Sequence, residues 1–333
     1  MVQRVRYHWI DWAKFILIAL VCLGHFHPSD VQMRLIWGMH MPAFFMISGF
    51  LYHPRNAWKT FLSFVIPVFF YSVINLGFYM VEGLLQNGRT DIFDSFYYNI
   101  IEPFYFKNAN HVTKSIWIFP IWFIWGLMGS RFLAGDIKCF SFILKYKYVT
   151  LSILLLWLCI GVLFINDVPL RFFKLYYAIY SLPFFLVGNI MKTSNFKVEN
   201  LKWWIILPLF AVYVISCYYN DRFDMLSYQY GSNYMIFFIT AICGSIVLFW
   251  ICTKFKENSI VKVFSVGTLL ILGLHIHLNW FILPILNRLG LVSSLGQALT
   301  AWFCTFIVLF ICYWPIKWLM KSCPILLGKL PKK

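Results

Sequence analysis

Residues 9–28 read WIDWAKFILIALVCLGHFHP. These twenty positions hold only two formal charges, Asp11 and Lys14. A helix needs about 20 mostly apolar residues to cross the hydrocarbon of a bilayer. Four side chains interrupt the apolar run: Asp11, Lys14, Cys22 and His25. Their offsets from Asp11 are 3, 11 and 14, close to multiples of the helical period. They therefore form one stripe along one face. Ionisable groups are costly against lipid, so that face must turn toward other protein segments. The stretch reads as one transmembrane helix of a larger bundle. No small-residue cleavage site follows it, so it is read as a retained span and not as a signal peptide.

Nine further segments repeat the pattern, near 36–52, 60–84, 116–134, 148–165, 175–192, 203–220, 233–252, 264–285 and 297–318. The second and sixth are short and carry Pro42 and Pro183, which a span tolerates when neighbouring helices satisfy the freed carbonyl. The fold class expected is all-α: a polytopic integral membrane bundle of about ten helices. One domain covers 1–333, with the bundle over about 8–320, the largest loop over 85–115 and a basic tail over 319–333. The composition agrees. Of 333 residues, 61% are hydrophobic and 12% charged, whereas soluble domains hold about 25% charged residues. The nine cysteines form no CxxC pair or Cys/His cluster, so no metal site is expected.

The formal charge of +16 would suggest nucleic acid on a soluble surface. Sorting it by loop removes that reading. The N-terminus, alternate connections (53–59, 135–147, 192–202, 253–263) and the chain from Lys317 onward hold 18 Lys/Arg against three acids, Asp136, Glu199 and Glu257. The opposite side holds eight Lys/Arg and eight acids. That asymmetry is the positive-inside pattern, and it places both termini in the cytoplasm.

His25 lies 14 residues beyond Asp11, roughly 21 Å further along a helix rising 1.5 Å per residue. It therefore sits toward the outer side, while Asp11 and Lys14 can pair near the cytoplasmic end. His40 opens the second span after a short loop, so it returns to similar depth. The two histidines are either a converging site or an interfacial pair bonded to carbonyls. His275 and His277, two apart in LGLHIHLN, must face different sides of the ninth span. His275 is favoured as the inward one, with Asn279 as its partner or a helix contact. Ser48-Gly49 is either a nucleophile or a small-residue helix crossing, and crossings are the commoner use.

These residues resemble the paired signature of the membrane acyltransferase 3 family. IDWAKFILIALVCLGH supplies the Asp, the basic residue three later and the Gly-His; HMPAFFMISGFLY supplies His40, Pro42, Phe44, Phe45, Ser48 and Gly49. IWFIWGLM, SLPFFLVGNIMK and FSVGTLLILGLHIH follow in the family's order, the last one ending at the histidines. One departure is visible: the Arg-x-x-Arg that many members carry before the third-span proline is missing ahead of Pro67, leaving Arg55 and Lys59 upstream.

The resemblance implies a membrane enzyme that moves an acyl group, usually acetyl, from cytoplasmic acyl-CoA to a hydroxyl of a cell-surface or secreted glycan. Acyl-CoA is then a substrate, and no permanently bound cofactor is expected. By the same resemblance the enzyme would sit in a bacterial inner membrane. His25 is the expected general base, since imidazole titrates near operating pH. His40 would orient it or donate to the oxyanion, and these roles could be exchanged. Asp11 completes the catalytic set, and His275 and the second-span motif support it. The donor phosphates would meet Lys14, Arg55 and Lys59 on the basic face, unless the last two only set topology. Phe104, Tyr105, Phe106 and Trp117 either stack on sugar rings or form an aromatic belt. The expected partners are lipid, acyl-CoA and a glycan acceptor, with no nucleic acid. The alternative is a transporter or flippase for a lipid-linked glycan, which would show repeated halves.

Overall fold

A computed structural model describes residues 6–87, 121–164, 176–220, 223–226 and 229–329. The chain is all-α among these residues apart from one two-stranded hairpin. Helix α1 runs His8–His25 and stops where His27 adopts a left-handed φ of 50° ahead of Pro28. Ser29 then caps α2 (Asp30–Phe50), its hydroxyl accepting from the Gln32 amide at 3.4 Å. Helix α3 spans Ala57–Asn87, and α4 spans Ile121–Arg131. A wide turn, Phe132–Asp136, bends the chain after α4 through Gly135 at φ 128°, a conformation that favours glycine.

Helices α5 (Lys147–Phe164), α6 (Tyr176–Thr193) and α7 (Trp203–Tyr219) follow. The hairpin β1 (Phe223–Asp224) and β2 (Gln229–Tyr230) pairs Phe223 with Tyr230. Asn233 caps α8 (Tyr234–Thr253), and Asn258 caps the short α9 (Ser259–Val266). Then come α10 (Thr268–Arg288) and α11 (Leu291–Ser322), the latter broken at Gly296.

All ten expected segments fall on helices, the fourth from residue 121 onward. Among the described residues, five helices are long and apolar enough to cross a membrane: His8–His25, Ala57–Phe78, Tyr234–Thr253, Thr268–Arg288 and Gly296–Ser322. The less apolar ones include the most central. In α2 seven consecutive residues, Met41 to Ile47, are buried, so protein surrounds this helix on every side. It packs against α1, α6, α7 and α8. A helix walled by protein needs no apolar surface toward lipid. By contrast α11 turns Phe303, Phe306, Phe310 and Trp314 outward while Ala301, Cys304, Val308 and Cys312 are buried. That is the two-faced pattern of a helix at the rim of a bundle.

Helices α2 and α6 approach closely in the core. A Cβ on Gly49 would lie 1.8 Å from the Phe185 carbonyl oxygen, and one on Gly188 would lie 1.9 Å from that of Met46. The two backbones touch reciprocally, which explains the small residues here.

Two boundaries differ from expectation. The ninth span does not begin at 264: the chain breaks at Gly267, where a Cβ would meet Ile316 at 2.3 Å. The helix α9 before it packs its buried Val261, Val263 and Phe264 on the bundle's end. The tail begins later than 319. Helix α11 continues to Ser322, and a turn at Pro324–Leu327 folds back onto α3 and α10. Leu327 is buried, and the Tyr71 hydroxyl donates to the Leu326 carbonyl at 3.2 Å. The expected loop 85–115 lies outside the described residues beyond Asn87, and so do Phe104, Tyr105, Phe106 and Trp117.

Candidate active site

The last residue of α1, His25, meets α10. Its Nδ1 lies 2.8 Å from the Val21 carbonyl oxygen and 3.3 Å from Nε2 of His275. The two rings cross edge-to-face at 4.7 Å. His275 places its own Nδ1 3.0 Å from the carbonyl oxygens of both Ile271 and Leu272. Two carbonyl oxygens beside one nitrogen require the proton there, so Nε2 of neutral His275 holds a bare lone pair. That lone pair accepts from His25 Nδ1–H, which also points to Val21. The single proton of neutral His25 is thereby held on Nδ1, and Nε2 is bare. Asn279, one turn further along α10, donates from Nδ2 to the His25 carbonyl at 2.6 Å and fixes the helix end. His25 is exposed while His275 is buried at 1%. The result is a bare ring nitrogen on an exposed residue, with a sealed partner behind it.

His40 uses the same local device, with Nδ1 2.7 Å from the Ile36 carbonyl oxygen. It lies within electrostatic reach of His25. Its own proton is likewise committed, so neutral His40 offers Nε2 as an acceptor and has no ring proton free for an oxyanion. His277 turns away, as the spacing requires. Its Nε2 donates to Asn75 Oδ1 on α3, and its ring stacks on Phe78 at 4.3 Å.

Asp11 is not with the histidines, and it does not pair with Lys14. Arg6 folds back to donate twice to its carboxylate, at 2.7 and 2.9 Å, and the Ser265 hydroxyl donates at 2.6 Å. A planar guanidinium meets a carboxylate with two bonds where an ammonium meets it with one. Asp11 thus joins α1 to α9, and Lys14 donates instead to the Ser265 carbonyl at 3.3 Å.

Lys14 lines a cavity of about 190 Å³. Arg55 and Ser63 line one part of it; Met41, Phe44 and Leu272 line others. It thus reaches the neighbour of His40 and the residue whose carbonyl holds His275. Ser48 also lines it, but its hydroxyl donates to the Phe44 carbonyl at 2.8 Å within α2. No base touches it among the described residues. Phe44 and Phe45 pack on Phe123 at 5.7 and 5.0 Å, and Pro42 is buried within α2. Lys59 is exposed and lies outside the cavity lining.

Arg55 is held by a group that sequence reasoning passed over. Asp136, buried at the wide turn, accepts from Tyr52 Oη at 3.0 Å, the Arg55 amide at 3.0 Å, Thr60 Oγ1 at 2.5 Å and Arg131 Nε at 3.1 Å. Burial, with Arg131 alongside, draws the Arg55 guanidinium down to about 10, so it stays charged at neutral pH. Burial and the Asp136 carboxylate push the Tyr52 phenol up, which keeps it a donor. Among the described residues no cluster of three or more His, Cys, Asp or Glu could hold a metal ion.

A family model described as an acyltransferase domain matches residues 7–318. No curated protein matches the chain, and no solved structure does.

Proposed function

The chain belongs to the membrane acyltransferase 3 family, and from that premise we propose an integral membrane O-acyltransferase with His25 as its base. The donor in this reading is cytoplasmic acyl-CoA, most simply acetyl-CoA. The acceptor is a hydroxyl of a cell-surface or secreted glycan, and the membrane is a bacterial inner membrane. The observation that carries the reading is the bare Nε2 of exposed His25 backed by buried His275. Membership in an acyltransferase family argues against the flippase alternative.

In the proposed reaction, His25 Nε2 takes the proton of the sugar hydroxyl as its oxygen attacks the thioester carbonyl. The carbon–sulfur bond breaks, and the imidazolium returns the proton to the leaving thiolate. Ester and free thiol are the products. While His25 is charged, its Nδ1–H faces two acceptors, the Val21 carbonyl and His275 Nε2. His40 offers a second acceptor nitrogen near the same place and serves as an orienting group. Asp11, bound to Arg6 and Ser265, is a latch between helices and takes no part in the chemistry.

His275 then acts through His25. A hydrogen bond to a charged group contributes about 1.5–3 kcal/mol, so His275→Leu is expected to lower kcat by roughly 10- to 100-fold. His277→Leu is the contrast: turnover within about twofold of wild type, with a lower Tm because Asn75 loses its buried partner. Equal losses of kcat in the two variants would sink the positioning role of His275. Both are read by steady-state turnover of labelled acetyl-CoA in vesicles.

Phosphates of the donor are assigned to Lys14 and Arg55 at the cavity mouth. Arg55→Gln is expected to raise the KM for acetyl-CoA by about tenfold or more, with little change in kcat. Lys59→Gln should leave that KM unchanged, because its side chain is exposed away from the cavity. A KM that follows Lys59 instead would overturn the assignment. The acceptor is identified by mass spectrometry of surface glycans from a deletion strain, as a lost acetyl or other acyl mass.

A further inference from the structure

Arg55 belongs to the loop before α3, yet its guanidinium lies along the first turns of that helix. Nε donates to Thr60 Oγ1 at 2.7 Å, and Nη2 donates to Ser63 Oγ at 2.5 Å. A hydroxyl has one proton, and each of these two is already spent. Thr60 Oγ1–H goes to Asp136 Oδ2 at 2.5 Å, and Ser63 Oγ–H goes to the Thr60 carbonyl at 2.7 Å. Both oxygens must therefore turn lone pairs toward Arg55. Thr60 and Asp136 are fully buried, with the Asp136 side chain at 0% exposure. Nη1 of Arg55 has no hydrogen-bond partner among the described residues, and Arg55 lines the cavity beside Lys14.

We propose that Thr60 and Asp136 form a directed hydrogen-bond relay that positions Arg55 for the phosphates of the donor. The relay rests on the donor assignment above and adds the residues that aim its cation. Asp136 does two things in it. It consumes the Thr60 proton, so that the hydroxyl can only accept from Arg55. It also accepts the Arg55 amide and the Arg131 guanidinium, which ties the loop to the end of α4. Without the carboxylate the Thr60 hydroxyl could rotate, and two close guanidinium groups would repel. Thr60 and Asp136 are positioning residues, since neither lines the cavity.

The test compares two donors, acetyl-CoA and acetyl-pantetheine, which carries the thioester without phosphates. The readout is the ratio of their kcat/KM values in vesicles holding the full chain. General structural damage lowers both donors alike and leaves the ratio in place. Thr60→Val keeps the shape and removes the hydroxyl. It is expected to cut the ratio by about tenfold, toward the value of Arg55→Gln, as loss of a charge-assisted bond predicts. Thr60→Ser keeps the relay and should keep the ratio. If Thr60→Val does not accumulate, Thr60→Ala removes the same hydroxyl and is expected to move the ratio in the same direction. A collapsed ratio in Arg55→Gln with a wild-type ratio in Thr60→Val, or in Thr60→Ala where that variant replaces it, overturns the relay and leaves the donor assignment standing. An unchanged ratio in Arg55→Gln overturns both, since the relay would then aim at nothing.

Discussion

His25→Ala is expected to lower acyl transfer by about 10²- to 10⁴-fold, the range a positioned general base contributes. The fold should tolerate the change. His25 is the last residue of α1 and is exposed, and its ring contact among the described residues is with His275 alone. Asn279 holds its backbone carbonyl, which alanine keeps. What alanine removes is the bare Nε2 and the Nδ1–H shared between Val21 and His275. The measurement is turnover of radiolabelled acetyl-CoA by purified protein in vesicles, with insertion checked by detergent extraction. Wild-type turnover in a properly inserted His25→Ala protein ends the proposed mechanism.

The second large effect concerns the fold. Gly49→Ala and Gly188→Ala should each cost about 3 kcal/mol or more, the upper end of overpacking penalties. Most overpacked sites relax by turning a side chain. Here the added Cβ meets backbone carbonyls, of Phe185 in one case and of Met46 in the other. Relief requires α2 and α6 to separate, and α2 is the helix that carries His40 and walls the cavity. Loss of monodisperse protein in detergent, or a large fall in Tm, is the expected outcome. Gly77→Ala is the control. A Cβ there meets nothing within 4 Å, and alanine in a helix is favoured by roughly 0.5–1 kcal/mol over glycine. If all three variants behave alike, the crossing does not hold the bundle together.

The spans were readable because a bilayer demands length and apolarity together. They were least readable where that demand lapses. In α2 and α6, surrounded by protein, Pro42, Pro183 and His40 sit inside helices that need no lipid-facing surface. The depth of His25 followed from helical rise, and the two-residue spacing of His275 and His277 required them to diverge. The sequence favours His275 as the inward one, and it is His275 that meets α1. Asp11 misled because i,i+3 spacing suggested Lys14, while the stronger partner, Arg6, lies outside the helix. Asp136 was hidden for a different reason. It follows Arg131 in a turn with no periodicity, and its partners Tyr52, Arg55 and Thr60 are about eighty positions earlier. One signal was available: it is among only three acids on a face rich in Lys/Arg.

The turn at Pro324–Leu327 adds a matter of timing. Leu327 and Gly328 wall the same cavity as Lys14, more than three hundred positions away. Chains fold largely from the N-terminus as they are synthesised. The two histidine-bearing helices at the start of the chain can pair long before the cavity has its final wall. A nascent chain would therefore hold part of its chemistry without an enclosed place for the donor. In the proposed reading, competence to use acyl-CoA arrives only when α11 has been made and the segment after it has docked.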